Sequence, residues 1–171
     1  SVVTVNCMRF AAGGDRHGTK VMSVVTRRLP ATIEQLPAAQ AFLKSLADQA
    51  GLDPRLAGRL ELALEEVFVN ICHYAYPSGK PGEIELRVLP SSEHFVLDVL
   101  DDGQPFDPGT LPEPDLSMPL EQRAVGGLGW FLIRQMVSEL SCRCEQGRNL
   151  VSLVMRQTTD EDGHTSGSSH G

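Results

Sequence analysis

The run GGLGWFLIRQM sets Gly126, Gly127 and Gly129 at the start of a helical pattern in which Leu128, Phe131, Leu132 and Met136 share one face. Glycine this dense costs backbone entropy on folding, so something must require bare backbone there. An anion would: a helix N-terminus offers free N–H groups and a partial positive charge, the chemistry that holds a phosphate. A second piece, DVLDDGQPFDP, puts Asp101 at the end of an apolar strand and Gly103 just past it. A carboxylate so placed can accept from an amino group such as that of adenine, and Gly103 lets a ligand approach the backbone. The ordinary reading is an Asp-Gly turn. A third piece is ELALEEVFVN, where Glu66 and Asn70 stand four apart and so lie one turn apart on the same helix face. Val67 and Ile71 flank them on the apolar side, which puts the pair at a core boundary. Its ordinary reading is a solvated pair, with Glu65 as a surface neighbour.

The elements that must position these pieces are readable in outline. VMSVVTRRL, residues 21–29, is β-branched and predicts a strand that Pro30 ends. Pro37 suits the first turn of a helix running to about Ala50, striped by Leu36, Ala39, Leu43, Leu46 and Ala50 and stopped by Gly51. Asp53-Pro54 reads as the N-cap and first residue of a second helix, apolar at Leu56, Leu60, Ala63, Leu64, Val67 and Ile71 and reaching about Tyr74. EIELRVLP and HFVLDVL alternate as a hairpin turning at Ser91-Ser92. Residues 102–125 are proline-rich and aperiodic, a loop long enough to be a functional lid or a disordered insert. After the glycine-rich helix, LSCRCEQ and NLVSLVMR form a second hairpin turning at Gly147-Arg148. The order strand, helix, helix, hairpin, lid, helix, hairpin predicts an α+β fold, a two-layer sandwich with a mixed, mostly antiparallel sheet and helices on one face. It lacks βαβ alternation, so the glycines are not a dinucleotide fingerprint, and no Gly-Lys-Ser/Thr makes a P-loop.

Composition narrows the classes. The chain has 171 residues, enough for one domain with its own core. A net charge of −7 argues against nucleic acid as a partner. No apolar run approaches membrane-spanning length, and no basic segment precedes an apolar one, so neither membrane nor signal peptide is expected. Cys142 and Cys144 are two apart in a strand and share a face, but without a histidine cluster they read, with Cys7 and Cys72, as reduced thiols of a cytoplasmic protein. Residues 1–21 read as an N-terminal extension ahead of Met22, and 158–171 as a polar, disordered tail.

With the three pieces in this order, the chain resembles the anti-sigma-factor serine/threonine kinases, a branch of the GHKL-type ATPase superfamily with the Bergerat fold. EEVFVN matches the N box, DDGQPFDP the first glycine box and GGLGWFLI the second, and the resemblance spans the predicted 22–157 domain. It implies that Asn70 ligates Mg²⁺ bridging the phosphates of ATP, and that Glu66 is the general base for the attacking hydroxyl. It implies that Asp101 accepts from the adenine amino group and that Gly103 lets the base pack on the backbone. Gly126, Gly127, Leu128 and Gly129 would present N–H groups to the phosphates. The branch often places a histidine four residues past the asparagine; here Tyr74 stands there and His73 precedes it. Its last hairpin usually carries a threonine after the glycine, where this chain has Asn149, which can also hydrogen-bond near the adenine. The implied function is phosphorylation of a STAS-type anti-sigma-factor antagonist by a homodimer that alternately sequesters a sigma factor, with the 21–29 run as a candidate edge strand at the dimer interface. Two alternatives remain open: an ATP- or ADP-binding adaptor without catalysis, and a histidine-kinase catalytic domain.

Overall fold

The computed structural model describes residues 2–4, 23–77, 79–107 and 127–157. Its strands are β1 (Val2–Thr4), β2 (Val25–Pro30), β3 (Glu83–Pro90), β4 (His94–Asp101), β5 (Glu139–Glu145) and β6 (Arg148–Arg156). Its α-helices are α1 (Leu36–Ala50), α2 (Pro54–Asn70) and α3 (Gly127–Met136). The strands form one sheet in the order β1-β2-β3-β4-β6-β5, and every described pair is antiparallel.

Local chemistry accounts for most of these elements. Pro37 sits in the first turn of α1, and Asp53 caps α2 by accepting the Arg55 N–H at 2.7 Å. The β3–β4 register pairs Leu86 with Val99 and Val88 with Leu97, so alternate apolar residues all face one side. β6 continues that face with Val151, Leu153 and Met155 opposite Val99, Leu97 and Phe95. The three helices cover it: α1 lies on β3, α2 on β6 and α3 against both α2 and β5. Leu43, Leu60, Leu64, Phe68 and Ile133 fill the space between the layers and are fully buried. The other sheet face is polar at its centre, where Glu85 is buried among Arg28, Arg87 and Arg148.

Three departures from the sequence reading matter. β2 is not at the sheet edge, because β1 pairs with it from Val2↔Arg27 to Thr4↔Val25; a three-residue strand in a weakly patterned segment leaves no periodicity to read. β2 therefore cannot serve as the free edge strand expected at a dimer interface. The α-helix of α2 stops at Asn70, and Ile71–Ala75 form a π-helical turn rather than a further α-turn. Finally, the last turn is Gln146-Gly147, both at positive φ, with Arg148 already paired to Glu145. Two central residues of that hand match the right-handed twist of the flanking strands. The expected lid lies outside the described residues from 108 onward, as do Gly126, residues 5–22 and the tail from 158. No helix among the described residues is long and apolar enough to cross a membrane.

Candidate functional site

The two helices and two strands that carry the motifs enclose a cavity of about 270 Å³ between the layers. Asp101, Asn149, Asn70 and Trp130 line it, with Val67 and Ile71 as apolar walls.

Asp101 ends β4 on the helix-facing side and is only 3% exposed. Its Oδ1 accepts two hydrogen bonds, from the Gly103 N–H at 2.9 Å and from Asn149 Nδ2 at 3.0 Å. With Oδ1 doubly bonded, Oδ2 is the oxygen with capacity for a ligand donor. Burial raises the pKa of this carboxyl, and the Asn149 and Gly103 donors partly counter that rise. Gly103 is glycine for steric reasons: a β-carbon there would meet Ala75 Cβ at 2.5 Å and the Ala75 carbonyl oxygen at 2.6 Å. The chain leaving β4 can thus lie directly on the π-helical turn. There the Gln104 N–H donates to the Ala75 carbonyl at 2.9 Å, and Gln104 Nε2 donates to the Tyr74 carbonyl at 2.6 Å. The π turn follows Asn70 directly and presents these two carbonyls to the Gln104 segment, a use of π geometry common beside functional sites.

Asn149 does more than stand near Asp101. Its Nδ2 also donates to the Gln104 carbonyl at 2.9 Å, and its Oδ1 accepts the Phe106 N–H at 3.2 Å. The pairing Asp101↔Asn149 across β4 and β6 brings them face to face, information that neither strand carries alone.

α3 runs beside α2 so that Gly129 faces Glu66 and Asn70. A β-carbon on Gly129 would stand 2.9 Å from Glu66 Oε2 and 3.6 Å from Asn70 Nδ2. The first and third sequence pieces therefore meet in space. Among the described residues Asn70 Nδ2 is buried with no hydrogen-bond partner, a state that costs about 1–3 kcal/mol and fits a donor reserved for an acceptor atom of a ligand. Glu65 turns the other way and accepts from Gln40 Nε2 of α1 at 3.3 Å. Gly127 and Leu128 lie in the first turn of α3. His73 is exposed and packs edge-on against Tyr74.

The sequence reading missed several wall residues. Trp130 and Phe106 line the cavity with their rings stacked, 5.2 Å apart and 25° from parallel. Trp130 read as one more residue of an amphipathic helix, and Phe106 as loop, although a tryptophan next to Gly129 was a usable signal. Cys142 also lines the cavity; burial pushes its thiol up to about 11, so it is a neutral apolar wall at physiological pH.

The family profile described as histidine kinase-like ATPase domain matches residues 29–155. The serine-protein kinase RsbW of Listeria monocytogenes serovar 1/2a is 28% identical over 141 residues, covering 80% of this chain and 88% of that protein. The serine/threonine-protein kinase BtrW of Bordetella bronchiseptica is 28% identical over 135 residues, covering 78% and 95% respectively. Among solved structures, the RsbU and RsbW domains of Rv1364c from Mycobacterium tuberculosis align with a TM-score of 0.56 at 18% identity. That alignment covers 78% of this chain but only 31% of the mycobacterial one, and it speaks for the fold.

Proposed function

This chain belongs to the histidine kinase-like ATPase domain family, and from that membership we propose that it is an ATP-dependent serine/threonine protein kinase acting as an anti-sigma regulatory factor. The observation that carries the proposal is the meeting of Glu66, Asn70 and Gly129 beside a cavity that Asn70 lines together with the buried Asp101. Asp101 receives the amino group of the base on Oδ2. The bare start of α3 receives the phosphates. Asn70 would hold Mg²⁺ through its amide oxygen. That ion neutralises charge on the phosphates when bound.

Glu66 lies one turn from Asn70, beyond the phosphate end, where an acceptor hydroxyl approaches. The hydroxyl oxygen forms a bond to the γ-phosphorus while the bond to the ADP leaving oxygen breaks, and Glu66 takes the hydroxyl proton. Positioning supplies most of the rate, as is general for phosphoryl transfer. The acceptor is a serine or threonine of a STAS-type antagonist, and a sigma factor is the alternate partner of the homodimer. Residues 22–157 make up the catalytic domain, working in the cytoplasm. The relatives that match over most of the chain carry serine- or serine/threonine-protein kinase names, which supports the acceptor class.

The test is incubation with labelled ATP, Mg²⁺ and candidate antagonists, followed by acid. Acid-stable label on an antagonist serine or threonine is the expected result. Nucleotide binding without transfer would make the protein an adaptor, and acid-labile label would make it a histidine kinase.

A further inference from the structure

Tyr76 is the first residue after the π turn, and its side chain crosses from the end of α2 to the ends of two strands. Its hydroxyl donates to Asp102 Oδ1 at 2.6 Å, with the Glu83 carbonyl oxygen 3.2 Å away as a second acceptor. The ring is half-buried against the core and passes directly over Gly82. A β-carbon on Gly82 would stand 2.1–2.4 Å from three atoms of that ring, so any other residue there would push the ring out. Burial and the bond to Asp102 raise the Tyr76 pKa, so the hydroxyl keeps the proton it donates.

Asp102 lies between the two residues that build the carboxylate of the site. The buried Asp101 precedes it, and Gly103 follows with an N–H that donates to Asp101 Oδ1 at 2.9 Å. Strand pairing ends at Asp101, which faces Ile84 on β3 and Asn149 on β6. The chain beyond has no ladder to hold it and depends on side-chain ties. Gln104 binds it to the π turn, and Tyr76 binds Asp102 itself. We propose that Tyr76, seated on Gly82, is a positioning residue for nucleotide binding: it holds Asp102, and with it the Gly103 N–H, so that Asp101 meets the base in one orientation. This rests on the reading of the cavity as an ATP site. One such hydrogen bond is worth about two- to tenfold in affinity.

The experiment measures affinity of the full chain for ATP and for inorganic triphosphate by calorimetry. Tyr76→Phe keeps the ring and removes the hydroxyl, so it should weaken ATP about two- to tenfold. Inorganic triphosphate has no base to meet Asp101 and should bind as before. In an Asp102→Ala background Tyr76→Phe should have no further effect, because the hydroxyl then has no carboxylate to hold. Gly82→Ala should weaken ATP in the wild type but not once Tyr76→Ala has removed the ring. Thermal melts establish folding, and if Gly82→Ala or Tyr76→Ala fails to fold, the Tyr76→Phe series decides alone. Unchanged ATP affinity in folded Tyr76→Phe overturns the proposal. So does an equal loss for ATP and triphosphate, or the same loss with and without the Asp102 carboxylate. If Asp101→Asn weakens ATP while Tyr76→Phe does not, the ATP reading stands and the positioning role falls. If the wild type binds no ATP, both fall.

Discussion

Gly129 and Glu66 are placed so that any side chain on the first would touch the carboxylate of the second, with the notional β-carbon 2.9 Å from Oε2. The atom met is the far end of a flexible side chain, so the fold can yield cheaply while the carboxylate is displaced. Gly129→Ala should therefore melt close to wild type and bind ATP within a few-fold. Its single-turnover transfer should fall about a hundredfold, the scale on which a misplacement of about 1 Å acts in catalysis. Transfer at the wild-type rate would mean that Glu66 is not held by this contact.

Glu66→Gln keeps shape and hydrogen bonding while removing basicity. We expect nucleotide affinity to persist and transfer to fall by about 10²–10⁴, the usual contribution of a general base. Glu65→Gln is the control, since that side chain faces Gln40 on α1 and an amide oxygen can replace the carboxylate there. Asn70→Ala should differ from both by losing the Mg²⁺-dependent part of ATP affinity. Single-turnover transfer and calorimetry with and without Mg²⁺ separate the three.

Asp101→Asn should weaken ATP binding about ten- to a hundredfold, the loss of one charge-assisted hydrogen bond of roughly 1.5–3 kcal/mol. The wild-type site should also be pH-sensitive. Protonation removes the charged acceptor, so affinity declines as pH falls through the Asp101 pKa. Because burial raises that pKa, the decline begins at higher pH than for an ordinary aspartate. Asn149→Ala deletes a donor that holds the value down, so its midpoint should move to still higher pH. ATP titrations across an acid pH series read both shifts, and a midpoint moving down would contradict the assigned role of Asn149.

On the opposite sheet face, Glu85 has a side chain only 4% exposed and meets Arg87 Nε at 2.5 Å, Arg28 Nη2 at 2.9 Å and Arg148 Nη1 at 3.2 Å. Burial alone would raise its pKa, but the hydrogen bonds from Arg87 and Arg148 outweigh that and hold it below the usual value. Glu85→Ala leaves guanidinium groups facing one another and should destabilise by about 3 kcal/mol, the low end for a buried ion pair because the arginines keep contact with water. A depressed folded pKa gives stability that is present above the unfolded value and lost as pH falls through the folded one. Denaturant melts should therefore show the full difference between wild type and Glu85→Ala near neutrality and a shrinking one in acid.

The elements could be read locally because their signals are local. Asp53 and Pro54 start α2 by a hydrogen bond and a fixed φ that need nothing beyond the neighbouring residues. The alternation in β3 and β4 follows from the two-residue period of a strand. The order of the three motif pieces along the chain was legible for the same reason, and with it the resemblance that named Glu66, Asn70 and Asp101.

What the sequence could not decide depends on residues far apart in the chain being brought together. The approach of Gly129 to Glu66 requires α3 to lie beside α2, and the bond from Asn149 to Asp101 requires β6 to pair with β4 in one register. The Phe106–Trp130 stack joins a segment leaving the sheet to a helix, so no periodicity in either could announce it. The π turn after Asn70 likewise answers to Gln104, whose donors take the Tyr74 and Ala75 carbonyls. Sequence by itself determined the longer helices and strands, though not β1 or the π turn, and which residues carry reactive groups, since backbone propensity and capping act over a few residues. Only the tertiary structure decided which of those groups face each other, because packing and strand register set distances that local preference does not contain.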